Sequence, residues 1–135
     1  MTGVSVHSRA WRILRHLERF DTDPKASQYR ALFADMSPDD TVLGVYRNAA
    51  ADSGCDVLVS DQGLRWRSGG KVIFVRYGSI AKADVDEAKH EARTIRLALN
   101  DGEVVRLPIE GGEGKLRDAW EMLRFLIRVL GDARR

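Results

Sequence analysis

The chain of 135 residues has room for one domain, and its 44% apolar and 31% charged residues are typical of a globular protein rather than a disordered one. Its 22 basic and 20 acidic side chains leave a net charge of +2, which argues against a nucleic-acid-binding protein. The single cysteine, Cys55, excludes an internal disulfide, and no apolar run approaches the roughly 18 residues of a membrane-spanning helix. We therefore expect a cytoplasmic protein.

The first 36 residues are predicted to be helical. A helical period over residues 9–20 predicts a first helix with Ser8 as its N-cap. Five apolar residues share one face of this helix: Ala10, Ile13, Leu14, Leu17 and Phe20. Trp11 lies at the boundary of this face. The opposite face holds four basic residues: Arg12, Arg15, His16 and Arg19. A second short helix is predicted for residues 26–35, before the helix-breaking segment at 37–40.

From Thr41 onward the hydrophobic period changes from helical to alternating, which predicts strands. Seven strands are predicted at residues 41–48, 55–61, 64–68, 71–77, 80–86, 94–100 and 103–109. The Gly-Gly pair at 69–70 and the Asp-Gly pair at 101–102 are typical of tight hairpin turns. Because Pro108 has no backbone N–H, we expect it at a strand end or an unpaired edge.

A broad amphipathic helix is predicted after the glycine-rich segment at 111–114, and Gly131 is expected to cap its end. Its apolar stripe holds seven residues: Leu116, Ala119, Trp120, Leu123, Leu126, Ile127 and Leu130. The order of elements therefore predicts an α+β protein that is mainly β. Two N-terminal helices precede about seven antiparallel strands, and a C-terminal amphipathic helix closes the sheets.

Three short motifs carry a resemblance to a known family. They are VLGVYRN at residues 42–48, VSDQGL at 59–64 and YGSI at 77–80. The chain resembles small bacterial pleckstrin-homology-like (PH-like) proteins, whose VTDKGL turn is shared with GRAM domains. The resemblance covers residues 41–130 and implies a barrel of two nearly orthogonal sheets closed by a C-terminal helix. It divides the chain into an N-terminal helical extension, 1–40, and a PH-like domain, 41–131.

No catalytic constellation, cofactor motif or metal-ligand cluster is recognisable in the sequence. The three histidines, at 7, 16 and 90, are scattered, and Cys55 has no neighbouring base. The GGEGK segment at 111–115 fails the phosphate-loop pattern, because Ile109 replaces its first glycine and Leu116 its Ser or Thr. We therefore predict that the chain is not an enzyme and binds no metal or cofactor.

The resemblance does not extend to a phosphoinositide site. Members that bind these lipids place basic residues in the loop between their first two strands. The corresponding loop here, NAAADSG at 48–54, contains an acid and no base. We therefore expect no phosphoinositide binding.

The hairpin across residues 69–70 predicts two distinct faces. Its core face holds five residues: Leu64, Trp66, Ile73, Val75 and Tyr77. Its other face combines three arginines with two apolar residues: Arg65, Arg67, Val72, Phe74 and Arg76. Arginines around an aromatic side chain are typical of interaction surfaces. The alternative is that the N-terminal helices cover this face.

These observations favour a non-catalytic PH-like module of the bacterial cytoplasm that binds a protein or itself. The first alternative is a peripheral membrane protein that contacts anionic phospholipid through the first helix, with Trp11, Arg12, Arg15 and Arg19. The second is a small enzyme with an unrecognised site. Because the apolar face of the first helix gains more by packing on the domain or on a neighbouring subunit, we predict no membrane binding at physiological salt.

Overall fold

The computed structural model describes residues 3–17, 19–22, 36–48, 56–68, 70–85, 94–109 and 117–133. Within these ranges the helices are α1 (Gly3–Ile13), followed by a 3-10 turn (Leu14–His16), and α2 (Arg117–Ala133). The strands are β1 (Phe20–Asp21), β2 (Val42–Tyr46), β3 (Val57–Ser60), β4 (Gly63–Ser68), β5 (Lys71–Arg76), β6 (Ile80–Val85), β7 (Thr94–Leu99) and β8 (Val104–Pro108). The protein is therefore a mixed α+β structure.

The strands form two antiparallel sheets. Five strands pair in the order β1-β2-β3-β4-β5, and three pair in the order β6-β7-β8. No ladder joins the two sheets in the described part of the chain, so its strands do not close into a hydrogen-bonded barrel. Side-chain contacts link the two sheets instead. Asn48, which follows β2, donates from its side-chain amide to the carbonyl of Pro108 in β8 at 3.0 Å.

All seven predicted strands are present, and their ends lie within two residues of the prediction. Both predicted turns are confirmed by a glycine with positive φ, 83° at Gly70 and 92° at Gly102. Pro108 is the last residue of β8, an edge strand, as its missing N–H requires. The predicted second helix, at 26–35, lies outside the described residues.

The first helix differs from its prediction at both ends. Helix α1 already begins at Gly3, so Ser8 lies inside it and is not its N-cap. Instead of continuing the helix, Phe20 pairs with Tyr46 in the sheet, and Arg47 N–H donates to the Arg19 carbonyl at 2.8 Å. The Phe20 ring lies over Gly44, where any Cβ atom would collide with it.

The apolar face predicted for the first helix is buried, although only part of it is helical. All five of its residues belong to the main hydrophobic core: Ala10, Ile13, Leu14, Leu17 and Phe20. Helix α1 packs against α2, while Arg12, Arg15 and His16 are exposed. The first helix therefore packs on its own domain. The division into residues 1–40 and 41–131 stays a prediction.

Helix α2 is confirmed, but two details of its prediction are wrong. The helix continues through Gly131 to Ala133, so Gly131 is not its cap. Trp120 and Ile127 are 48% and 53% exposed, although the stripe predicted both to be covered. The buried arc of the helix lies to one side of the predicted stripe and includes Met122, Phe125 and Val129. Apolar side chains surround more than half of α2, and the sheets and α1 together cover only part of that width.

Candidate interaction surfaces

The β4–β5 hairpin has the predicted register. Trp66 lies opposite Ile73, and Arg65 lies opposite Phe74. The core face is confirmed, with four of its residues buried and Ile73 half-buried: Leu64, Trp66, Val75 and Tyr77. The opposite face therefore carries the five predicted interaction residues.

The prediction that Arg65 lies exposed on this face is wrong, because its side chain is only 1% exposed. Its Nη1 donates to Asp40 Oδ2 at 3.0 Å and to Ser60 Oγ at 3.3 Å. A buried guanidinium needs such a counter-charge to offset the loss of its water. Arg65 therefore belongs to the interior and cannot contact a partner directly.

The same carboxylate holds the turn between β3 and β4. Asp40 accepts hydrogen bonds from Ser60 Oγ and from the Gln62 N–H, both at 3.1 Å. The Tyr77 hydroxyl donates to the Ser60 carbonyl at 2.8 Å, and burial raises the pKa of Tyr77 well above its usual value, with Asp40 adding to the rise. The VSDQGL motif thus forms a buried polar network with a structural role.

Phe74 is the centre of what remains of the hairpin face. The Arg65 guanidinium lies 3.7 Å from its ring centroid, and that of Arg76 lies 5.3 Å away. Phe74 is half-buried, Val72 is 39% exposed, and Arg67 and Arg76 are exposed. The accessible apolar area of this face is therefore small. Arg76 also lies on β5, an edge strand of the larger sheet, where charged side chains deter edge-to-edge pairing.

The predicted helix surface is reduced to a single apolar side chain. Trp11 is 52% exposed, and the Arg15 guanidinium lies 4.4 Å from its ring centroid. Arg12 is exposed, whereas Arg19 is half-buried and donates to the Arg47 carbonyl at 3.5 Å. Because the five residues of the apolar face are in the core, Trp11 is the exposed apolar residue of this predicted surface, beside the exposed cations Arg12 and Arg15. Within the described ranges, neither helix is long and apolar enough to cross a bilayer.

A third surface, which the sequence did not predict, runs along the outer side of α2. It is an open groove of about 470 Å³, named here the α2 groove and lined by Arg9, Trp120, Leu123, Arg124, Ile127, Arg128, Gly131 and Asp132. Trp120 and Ile127 are seven residues apart and therefore share one stripe of the helix.

Arginines dominate the charge of the α2 groove. Arg9 of α1 forms a two-pronged bond to Asp132, with Nε and Nη2 at 3.0 and 3.2 Å from its carboxylate oxygens, and this bond raises the pKa of Arg9. Arg124 lies 3.6 Å from Glu121, a weak exposed pair. Arg128 has no ion pair with any described residue. Three arginines against Asp132 thus leave the lining positive.

The sequence contained a signal for the α2 groove. An apolar stripe as wide as that of α2 exceeds what one packing face covers, and two arginines lie just outside the stripe at Arg124 and Arg128. Charged residues four apart on a helix share one face, so this side of α2 is solvated. Trp120 and Ile127 border that side, and their exposure follows from it.

The described residues contain no group of three or more His, Cys, Asp or Glu side chains that could hold a metal ion. His7 and His16 are exposed. Cys55, His90 and the GGEGK segment at 111–115 lie outside the described residues. The absence of catalysis, metal and cofactor therefore stays a prediction.

Comparison with known proteins gives little further information. No family model matches the chain, and no curated protein matches it. Among solved structures, the chain is similar to the N-terminally truncated linker-DH/PH domains of p115-RhoGEF, with a TM-score of 0.46 and 14% sequence identity. The match covers 96% of this chain and 41% of that one. A likeness of this degree assigns neither function nor ligand.

Proposed function

We propose that the chain is a non-catalytic PH-like module that binds proteins, with the α2 groove as its main contact surface. One observation carries the proposal: Trp120 and Ile127 lie half-exposed on one stripe of α2, with Arg124 between them and Arg128 beside them. Tryptophan and arginine are the residues most enriched among those that dominate binding energy at protein interfaces.

Three sequence motifs and the order of the elements support the PH-like part of the proposal. Seven antiparallel strands, β2 to β8, occur in two sheets and are followed by the C-terminal helix α2. The resemblance implies sheets of four and three strands, and strand β1 extends the first sheet here to five. The GRAM-like relationship, a bacterial source and a cytoplasmic location belong to the same proposal and rest on the motifs alone.

The exposed apolar area gives the expected scale of binding. Complete burial of a large apolar side chain contributes roughly 1.5–3 kcal/mol, and about half of this remains available at each of Trp120 and Ile127. Together they would contribute roughly 1.5–3 kcal/mol to an interface. The pair is therefore sufficient for an anchor but needs further contacts for stable binding.

A matched pair of tryptophans tests the main surface. Trp120 and Trp11 are almost equally exposed but lie on different faces. Affinity capture from native lysate, together with solution mass measurement, is done with the wild-type chain, Trp120→Ala and Trp11→Ala. We expect Trp120→Ala alone to lose a specific partner or self-association. If Trp120→Ala retains every association of the wild type, the α2 groove is not the contact surface.

The hairpin face is a second candidate surface, favoured by Phe74 between two arginines and by the exposure of Val72. Val72→Asp is the clean test, because Phe74 also packs on the buried Arg65. A loss of self-association or partner capture in a folded Val72→Asp variant would make this face the interface. Unchanged association in this variant would show that the hairpin face is not the interface.

Membrane binding through α1 stays the alternative from a different class. Trp11 and the neighbouring cations Arg12 and Arg15 are the accessible groups that would contact anionic lipid. Because Ala10, Ile13 and Leu14 are in the core, we expect no sedimentation with anionic liposomes at physiological salt. Salt-resistant sedimentation that Trp11→Ala abolishes would establish the membrane function instead.

A further inference from the structure

We infer that the α2 groove binds an acidic amphipathic helix of a partner protein. This inference rests on the proposed function and specifies the chemistry of the partner. It depends on three independent features of the groove: its length, its glycine and its charge.

The length of the groove suits a helix of about three turns. From Trp120 to Asp132 the rise of 1.5 Å per residue gives about 18 Å. Its apolar contacts, Trp120, Leu123 and Ile127, lie along this length and can receive the apolar face of an amphipathic helix. An occupant of about 12 residues in helical conformation would span all three.

Gly131 leaves space for close approach of a second backbone. It lies inside α2 and is exposed, and a Cβ atom built there would meet nothing within 4 Å. A glycine inside a helix costs about 1 kcal/mol relative to alanine, and no contact in the described part of the chain requires one here. The missing side chain instead lowers one wall of the groove beside Ile127 and Arg128, which permits tight helix–helix packing.

The charge of the groove selects an acidic occupant. Asp132 is already bound to Arg9, and Glu121 offsets Arg124 only through a weak exposed contact, so Arg128 carries the clearest unmatched charge. Carboxylates on the flanks of an incoming helix would pair with Arg124 and Arg128. A second copy docked groove to groove would place arginines against arginines, because a two-fold interface pairs the same patch with itself. The charges therefore favour a different protein over self-association.

Two designed peptides of about 15 residues are the probes. Both carry the same leucine stripe, one with glutamates and the other with lysines on the flanks. Titration of each dye-labelled peptide with the full chain, followed by fluorescence anisotropy, gives the affinity. We expect the acidic peptide to bind at least about 10-fold more tightly than the basic one and to weaken as salt increases.

Two variants, each with a matched control, locate the bound peptide. Trp120→Ala is expected to weaken binding of the acidic peptide by about 4- to 12-fold, whereas Trp11→Ala leaves it unchanged. Arg128→Glu should weaken it by about 5- to 30-fold and favour the basic peptide, whereas Lys82→Glu, at an exposed position on β6, should do neither.

Gly131→Gln separates docking from folding. The variant is expected to bind the acidic peptide at least about 10-fold more weakly while its urea midpoint rises, because glutamine is the better helix former. Unchanged peptide affinity in this variant would show that the occupant does not approach α2 at Gly131 and would overturn the proposed docking.

The remaining outcomes distinguish the inference from the proposed function. If both peptides bind equally well and Trp120→Ala abolishes binding of both, the groove is a docking site but its preference for an acidic partner is refuted. If neither peptide binds, or only anionic vesicles bind, the acidic helix is refuted. The proposed function is refuted as well only if the Trp120→Ala variant also retains every association of the wild-type chain. Self-association lost in Trp120→Ala would instead identify a second copy as the occupant and refute the inference.

Discussion

Replacing Asp40 with asparagine would leave the Arg65 guanidinium buried without its counter-charge. Neither side chain has appreciable access to water, so solvent cannot replace the lost carboxylate. Asp40 also accepts from Ser60 Oγ and the Gln62 N–H, and the neutral amide keeps only part of this capacity. Breaking one partner of a buried pair costs about 3–5 kcal/mol, a fifth or more of the roughly 5–15 kcal/mol that stabilises a typical domain.

The assay is equilibrium unfolding in urea, with the slope checked for a change in mechanism. At a slope of about 2 kcal/mol per molar urea, the midpoint of Asp40→Asn should fall by about 1.5–2.5 M. Asp84→Asn is the matched control, because its pair with Arg96 is similarly short at 3.2 Å but exposed, and its loss should cost less than about 1 kcal/mol.

A double variant makes the reasoning refutable. Changing Arg65 to methionine in the Asp40→Asn background removes the unpaired charge, so the double variant should be more stable than Asp40→Asn alone. A loss below about 1 kcal/mol in Asp40→Asn, or no recovery in the double variant, would show that the charge of Arg65 needs no partner there.

Two further outcomes are expected. Because burial raises the pKa of Tyr77, the unfolded chain releases this proton from about pH 10 while the folded chain keeps it, so stability falls as pH rises further. Urea midpoints across this range should show a smaller fall in Tyr77→Phe, and an identical fall would refute the assignment. Gly63→Ala should cost about 1–3 kcal/mol, because its Cβ would collide with the Val75 carbonyl, whereas Gly78→Ala, with open space, should be nearly neutral; equal costs would contradict this.

Most of the fold could be predicted because its signals are local. Alternation along each strand identified all seven, and the glycines at 70 and 102 identified two hairpin turns. Strand β1 was missed because two residues are too short for a period to appear, and Phe20 also continued the helical stripe of α1. Its place in the sheet depends on Gly44, more than twenty residues away, which has no side chain to exclude the Phe20 ring.

The surfaces were harder to predict because exposure depends on the whole fold. Alternation correctly placed Arg65 on the face opposite Trp66, but only the distant Asp40 makes that position an interior one. Similarly, the apolar stripe of α2 shows which residues are able to pack, not which of them the sheets reach. The stripe therefore predicted Trp120 and Ile127 to be core residues, whereas both lie at the edge of the core and are half-exposed.

The contact between α1 and α2 has a consequence for the order of folding. Arg9 and Asp132, which join the two helices, are separated by 123 residues in the chain. Relative to a four-residue hairpin loop this is about five doublings of loop length, which adds about 3 kcal/mol of closure entropy. We therefore expect the hairpins to form first and α1 to dock late. During synthesis the apolar face of α1 is then not fully packed until α2 has been made.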